Sequence, residues 1–307
     1  MARKPNAIPG GAAMPLDRVK NKATAIPGGG GGCWLGGPAT ASTQNYQTGS
    51  ATAFGTAGNA SEQSGTSIFD PVLCELAYRW FSPEGGTVLD PFAGGSVRGI
   101  VAAKLGRQYI GHELREEQVA ANRRQADEIC ADDALPPAWI CGDSRNIDRT
   151  CADVDADFIF SCPPYADLEV YSNDPADLST LGYAEFVAAY REIIAKACAR
   201  LRPDRFACFV VGEVRDKRGN YYDFVGDTVA AFRDAGLHYY NEAILITMVG
   251  SLPIRAGKQF AASRKLGKTH QNVLVFVKGD GKRAATACGP VQVAVPDDAG
   301  AEDQEGA

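Results

Sequence analysis

Two short strings in this 307-residue chain combine residue types that could do chemistry. The first is Ser161-Cys162-Pro163-Pro164-Tyr165, directly behind the apolar run Phe158-Ile159-Phe160. Two consecutive prolines fix φ and cannot extend a strand's hydrogen-bond ladder. They make a rigid, carbonyl-rich turn followed at once by an aromatic ring. Such a turn can accept a hydrogen bond from an amino group while Tyr165 stacks on a planar base. The plain alternative is a strand terminator. Cys162 adds a thiol, which accepts hydrogen bonds weakly and could instead serve as a nucleophile.

The second string is Asp90-Pro91-Phe92-Ala93-Gly94-Gly95-Ser96, placed where a strand hands over to a helix. Gly94 and Gly95 allow backbone angles closed to other residues and let a ligand approach the main chain. The P-loop pattern GxxxxGK[ST] is absent, and so is the GxGxxG phosphate cradle of a nicotinamide dinucleotide. S-adenosylmethionine carries no phosphate, so a looser turn suffices for it. Two acids strengthen this reading. Glu113 follows the next strand, 23 residues beyond Asp90, where an acid can accept hydrogen bonds from ribose hydroxyls. Asp143, beside Ser144, follows the third strand and can meet an adenine edge. Each acid alone could be a solvated helix cap.

The elements that must position these strings follow from periodicity. Pro71 to Phe81 reads as a helix capped by Asp70, with Leu73, Leu76, Ala77 and Trp80 as its apolar face. Thr87–Leu89, Gln108–Gly111, Trp139–Cys141, Phe158–Phe160 and Phe206–Val211 read as strands. Helices are expected over 97–105, 116–130, 183–201 and 222–235. The strands Tyr239–Met248 and Asn272–Val277 close the pattern, joined by a loop. This alternation implies an α/β, Rossmann-like class I fold with a seven-stranded, mostly parallel sheet and an antiparallel final strand. The domain is expected to span 66–278. A Gly/Ala/Ser/Thr-rich flexible segment, 1–65, precedes it, and an acidic disordered tail, 279–307, follows.

Charge is segregated within a net −6. Residues 250–271 carry Arg255, Lys258, Arg264, Lys265 and Lys268 without an acid, and Arg215, Lys217 and Arg218 follow the fifth strand. These eight side chains are candidate contacts for the phosphates of a polynucleotide, although a solvated surface loop would also be charged. The nine cysteines and three histidines show no metal-ligand spacing, so no metal site is expected. An odd number of scattered cysteines fits a reducing cytoplasm. No apolar run could span a bilayer, and no signal-peptide pattern opens the chain.

Taken jointly, the strings resemble the amino-directed N6-adenine/N4-cytosine DNA methyltransferases. Residues 90–96 resemble that family's DPFxGxG loop, with Ser96 in place of the last glycine. Cys162-Pro163-Pro164-Tyr165 resembles its [D/N/S]PP[Y/F/W] tetrapeptide except at the first position. Phe69-Asp70-Pro71 looks like its additional cofactor segment. The resemblance covers about residues 67–278 and implies S-adenosylmethionine as cofactor. The binding set it implies is Phe69, Asp70, the 90–96 loop, Glu113, Asp143, Ser144 and Ser161. It further implies direct methyl transfer, with no metal and no covalent enzyme intermediate, to the exocyclic amine of a base flipped out of DNA: Tyr165 would stack on the base and the Pro163 carbonyl would orient the amine. The expected partner is double-stranded DNA, bound by a monomer or homodimer in a restriction-modification, phage or orphan setting. Methylation of RNA or of a small amine, covalent C5-cytosine chemistry through Cys162, and an inert nucleic-acid-binding module are the competing readings.

Overall fold

The computed structural model describes residues 69–165, 171–247 and 252–291. Helix α1 (Pro71–Phe81) starts where expected, because the Asp70 carboxylate accepts from the Val72 and Leu73 amides and Pro71 has no amide to satisfy. Its buried face differs from the expected one. Cys74, Ala77 and Tyr78 are buried, while Leu76 and Trp80 are exposed. Tyr78 decides the rotation: its ring packs on Phe158 and Phe160, and its hydroxyl donates to the Arg98 carbonyl at 2.8 Å.

The remaining elements alternate: β1 (Thr87–Asp90), α2 (Val97–Lys104), β2 (Gln108–Glu113), α3 (Glu116–Ile129), β3 (Ala138–Cys141), α4 (Ile147–Thr150), β4 (Ala156–Ser161), α5 (Tyr183–Arg200), β5 (Leu201–Val211), α6 (Phe224–Asp234), β6 (His238–Ile246), α7 (Leu252–Ser263), β7 (His270–Lys278) and α8 (Gly281–Cys288). The seven strands form one sheet in the order β3-β2-β1-β4-β5-β7-β6. The first five are parallel, and β7 runs antiparallel between β5 and β6. Every residue of β4 is buried, as expected for a central strand covered on both faces. Leu89, Ile159 and Phe209 pack against α5 residues on one face, and Tyr109, Phe158 and Phe160 belong to the core of the other.

Two segments differ from expectation. The stretch between the last two strands is not all loop, since α7 occupies most of it; Pro253 falls in its first turn, where no amide is lost. Residues 281–288, expected in the disordered tail, form α8. Asp280 caps this helix, Ala284 is fully buried, and Arg283 pairs with Asp204 at 2.6 Å. The segments 1–65 and 292–307 lie outside the described residues. Among the described residues no helix is long and apolar enough to cross a membrane.

Candidate active site

The glycine turn leaves β1 at the C-terminal edge of the parallel strands, where ligands of such sheets bind. Gly94 takes φ +53°, and a Cβ there would meet nothing within 4 Å, so the turn faces open space. Its back is tied down from several directions. The Arg98 guanidinium donates to Asp90 at 2.6 Å and to the Phe92 and Ala93 carbonyls at 2.6 and 2.8 Å. Asn122 donates to the Gly94 carbonyl at 2.7 Å. Asp90 itself is 0 % exposed and also accepts from Tyr109 at 2.7 Å and Ser161 at 2.5 Å. Asp90 therefore shapes the turn from behind, a correction to the expectation that it meets a ligand.

In front of the turn is a cleft. Pro91, Phe92, Gly94, Glu113, Asp143 and Ser144 from the expected cofactor set line it. Ala93, Ser96 and Ser161 are buried, and Ser96 bonds Gln125. They too support the turn and are absent from the cleft wall. Gly95 is half-buried beside it. Phe69 packs edge-on against Phe160 beneath Arg98, and Asp70 is committed to capping α1. Glu113 accepts from the Gly94 and Arg115 amides at 3.0 and 2.9 Å. Burial raises its carboxyl above the ordinary 4.5, against those two amides and the Arg115 charge; Asp177 adds to the rise. Asp143 accepts from Arg145, and Ser144 donates to the Pro91 carbonyl at 2.7 Å.

The cleft suits the expected cofactor. It combines an open glycine turn, a half-buried acceptor carboxylate with lone pairs to spare, and apolar walls from Leu114, Leu178 and Ile193. The last two, with Tyr171, Ala176 and Asp177, come from stretches that carried no motif. If Glu113 holds ribose hydroxyls, its protonation must weaken cofactor binding. Calorimetric affinity for S-adenosylmethionine should therefore fall on acidification, beginning at a higher pH than an ordinary carboxylate would give. Glu113→Gln should bind more weakly at neutral pH and show little of this dependence.

Cys162 and Pro164 line the same cleft, whereas Pro163 is buried. Tyr165 is half-buried at the far side of the turn. Its hydroxyl accepts from the Gln271 side chain at 2.8 Å, its ring meets Phe224 edge-on at 6.1 Å, and Gly212 lies beside it. The ring is thus fixed between the end of β5 and the start of β7. Gln271 was not foreseen; it sits on a strand with no sequence signature of a site.

Residues 59–124 match a family of N6/N4 methyltransferases described as DNA methylase. Over this segment the chain is similar to the N6/N4 DNA-methylase family. With the class I fold, that makes the protein an S-adenosylmethionine-dependent methyltransferase. No curated protein matches its sequence. Among solved structures the methyltransferase is similar to magnesium protoporphyrin IX methyltransferase from Synechocystis PCC 6803 with bound SAM, at 14 % identity and TM-score 0.42 over 68 % of this chain and 76 % of that one. A SAM-dependent methyltransferase from Methanosarcina mazei is similar at 11 % identity and TM-score 0.45, covering 66 % and 97 %. The corresponding figures for precorrin-6y C5,15-methyltransferase from Geobacter metallireducens GS-15 are 12 %, 0.42, 68 % and 86 %.

The methyltransferase also brings its two basic segments together. Arg215, Arg218, Arg264 and Lys265 line one shallow cleft with Tyr221. Arg215 stacks on Tyr221 at 3.7 Å, and Lys265 reaches over Gly219. Lys217 and Lys258 are exposed nearby in sequence, Arg255 lies within α7, and Lys268 is half-buried with its amine 3.4 Å from Asn272.

Proposed function

We propose that the protein transfers a methyl group to the exocyclic amine of a DNA base, N6 of adenine or N4 of cytosine. The observation that carries this reading is the shared cleft: Cys162 and Pro164 of the Pro-Pro-Tyr turn face the same space as Gly94, Glu113 and Asp143. The cleft would hold S-adenosylmethionine, which would supply an electrophilic methyl for the base nitrogen, the carbon–sulfur pair returning to sulfur and the amine proton leaving to solvent. The chain's part is positioning. Glu113 holds the ribose, the Pro163 carbonyl orients the amine, and Tyr165 stacks on a base taken out of the duplex.

Duplex DNA as the substrate fits the basic cleft. Arg215 lies three residues beyond Gly212, and Lys268 three before Gln271, so both basic segments continue directly from the residues that hold Tyr165. Phosphates gripped there would lie beside the base pocket. Replacing Arg218 or Lys265 with Gln should each lower the slope of log affinity against log salt by about one, in fluorescence-anisotropy titrations with duplex DNA. Cofactor affinity should not change. A slope equal to wild type in both variants would move the DNA elsewhere on the surface. Methyl transfer to RNA but not to DNA would retain the enzyme class and overturn the substrate.

A further inference from the structure

Asp177 lines the cofactor cleft from the short 3-10 turn Leu178–Thr180 that it caps, and it is 6 % exposed. Its three hydrogen bonds come from neutral donors: the Ser179 amide at 2.9 Å, the Ser179 hydroxyl at 2.7 Å and the Ser172 hydroxyl at 2.8 Å. The other two carboxylates of the cleft have guanidinium partners, Arg115 for Glu113 and Arg145 for Asp143. Asp177 takes part in no ion pair among the described residues. Its turn therefore fixes a carboxylate in the cleft wall that hydrogen bonds hold in place but no cation pairs with at contact distance among the described residues, so a cationic ligand in the cleft would add an attraction the protein itself does not supply.

We infer that Asp177 is a specificity-determining residue that favours S-adenosylmethionine over its demethylated product. The inference rests on the cofactor reading above. The cofactor carries a sulfonium, an ammonium and a carboxylate, a net charge of about +1, whereas the thioether product is neutral overall. A fixed carboxylate in a partly dry cleft attracts the first and is indifferent to the second. Loss of the sulfonium charge on transfer then removes the attraction and helps the product leave. The apolar residues beside Asp177, Leu178 and Ile193, keep water from screening it.

The test is calorimetric binding of S-adenosylmethionine and S-adenosylhomocysteine to the full chain and two variants. Asp177→Asn keeps the size and an acceptor oxygen but removes the charge; Ser172→Ala removes one hydrogen bond of the turn and keeps the charge. Asp177→Asn should weaken S-adenosylmethionine binding about ten-fold and S-adenosylhomocysteine less than about two-fold. Ser172→Ala should leave the ratio of the two affinities as in wild type. Equal losses for both ligands in Asp177→Asn would make the residue a structural latch and overturn the inference, as would an unchanged ratio. Wild-type protein that binds neither ligand would overturn the cofactor reading itself, a result distinct from either of those.

Discussion

Arg98→Met should destabilise the protein by about 3–5 kcal/mol, read as a shift in the urea-unfolding midpoint. The side chain is buried and its partners are all internal: Asp90, and the Phe92 and Ala93 carbonyls. Methionine fills much of the volume but supplies no donor. Asp90 is then left as a buried carboxylate with only the Tyr109 and Ser161 hydroxyls and the Phe92 amide. The Asp90 charge raises the Arg98 pKa against the desolvation that would lower it, so the guanidinium stays charged throughout the usable pH range. Adding Asp90→Asn to the Met variant should recover part of the loss, because a neutral amide costs less to bury than an unpaired charge. A loss under about 1 kcal/mol in the single variant would mean that the pair does not hold the turn. The same variant should bind S-adenosylmethionine more weakly, since the turn's carbonyls are no longer tied back.

The second large effect is expected at Tyr165. Stacking of a base on an aromatic ring is worth about 1–3 kcal/mol, so Tyr165→Ala should lower turnover on DNA by about 5–150-fold. Affinity for S-adenosylmethionine should remain close to wild type, because the ring does not line the cofactor cleft. Tyr165→Phe separates stacking from orientation. It keeps the ring and its edge-on contact with Phe224 but loses the 2.8 Å bond to Gln271. Its loss should be under about ten-fold, the scale of one hydrogen bond. Single-turnover rates with saturating cofactor give both values. An Ala variant as fast as wild type would remove Tyr165 from the reaction.

Much of the framework was legible because β/α alternation leaves strong local signals. Asp70-Pro71 marks a helix start by capping chemistry alone, and the apolar runs ending at Asp90 and Ser161 mark strands by their length and punctuation. Glu113 and Asp143 could be placed at strand ends by counting. What a local pattern does not encode is which side of an element a large residue will choose. Tyr78 turned α1 so that Trp80 faces outward, for contacts with strand residues about 80 positions away. Asp90 illustrates the same limit at the site. Its place in the string suggested ligand contact, but Arg98 and Tyr109 meet it from behind. Arg98, a charge on the buried side of a helix, was the available signal. Gln271 and Asp177 act through partners remote in sequence or through a turn that resembles any other polar loop. The approach of residues 215–218 to 264–265 depends on α7, a helix that its glycine and proline content made hard to foresee.

The most direct measurement supplies duplex DNA and S-adenosylmethionine carrying an isotopic label on its methyl group, then digests the DNA to nucleosides for mass spectrometry. Label is expected in N6-methyladenine or N4-methylcytosine nucleosides, with Cys162→Ser still active because no covalent bond to that thiol is required. Label in 5-methylcytosine that disappears with Cys162→Ser, or no label in DNA from protein that binds the cofactor, would contradict it.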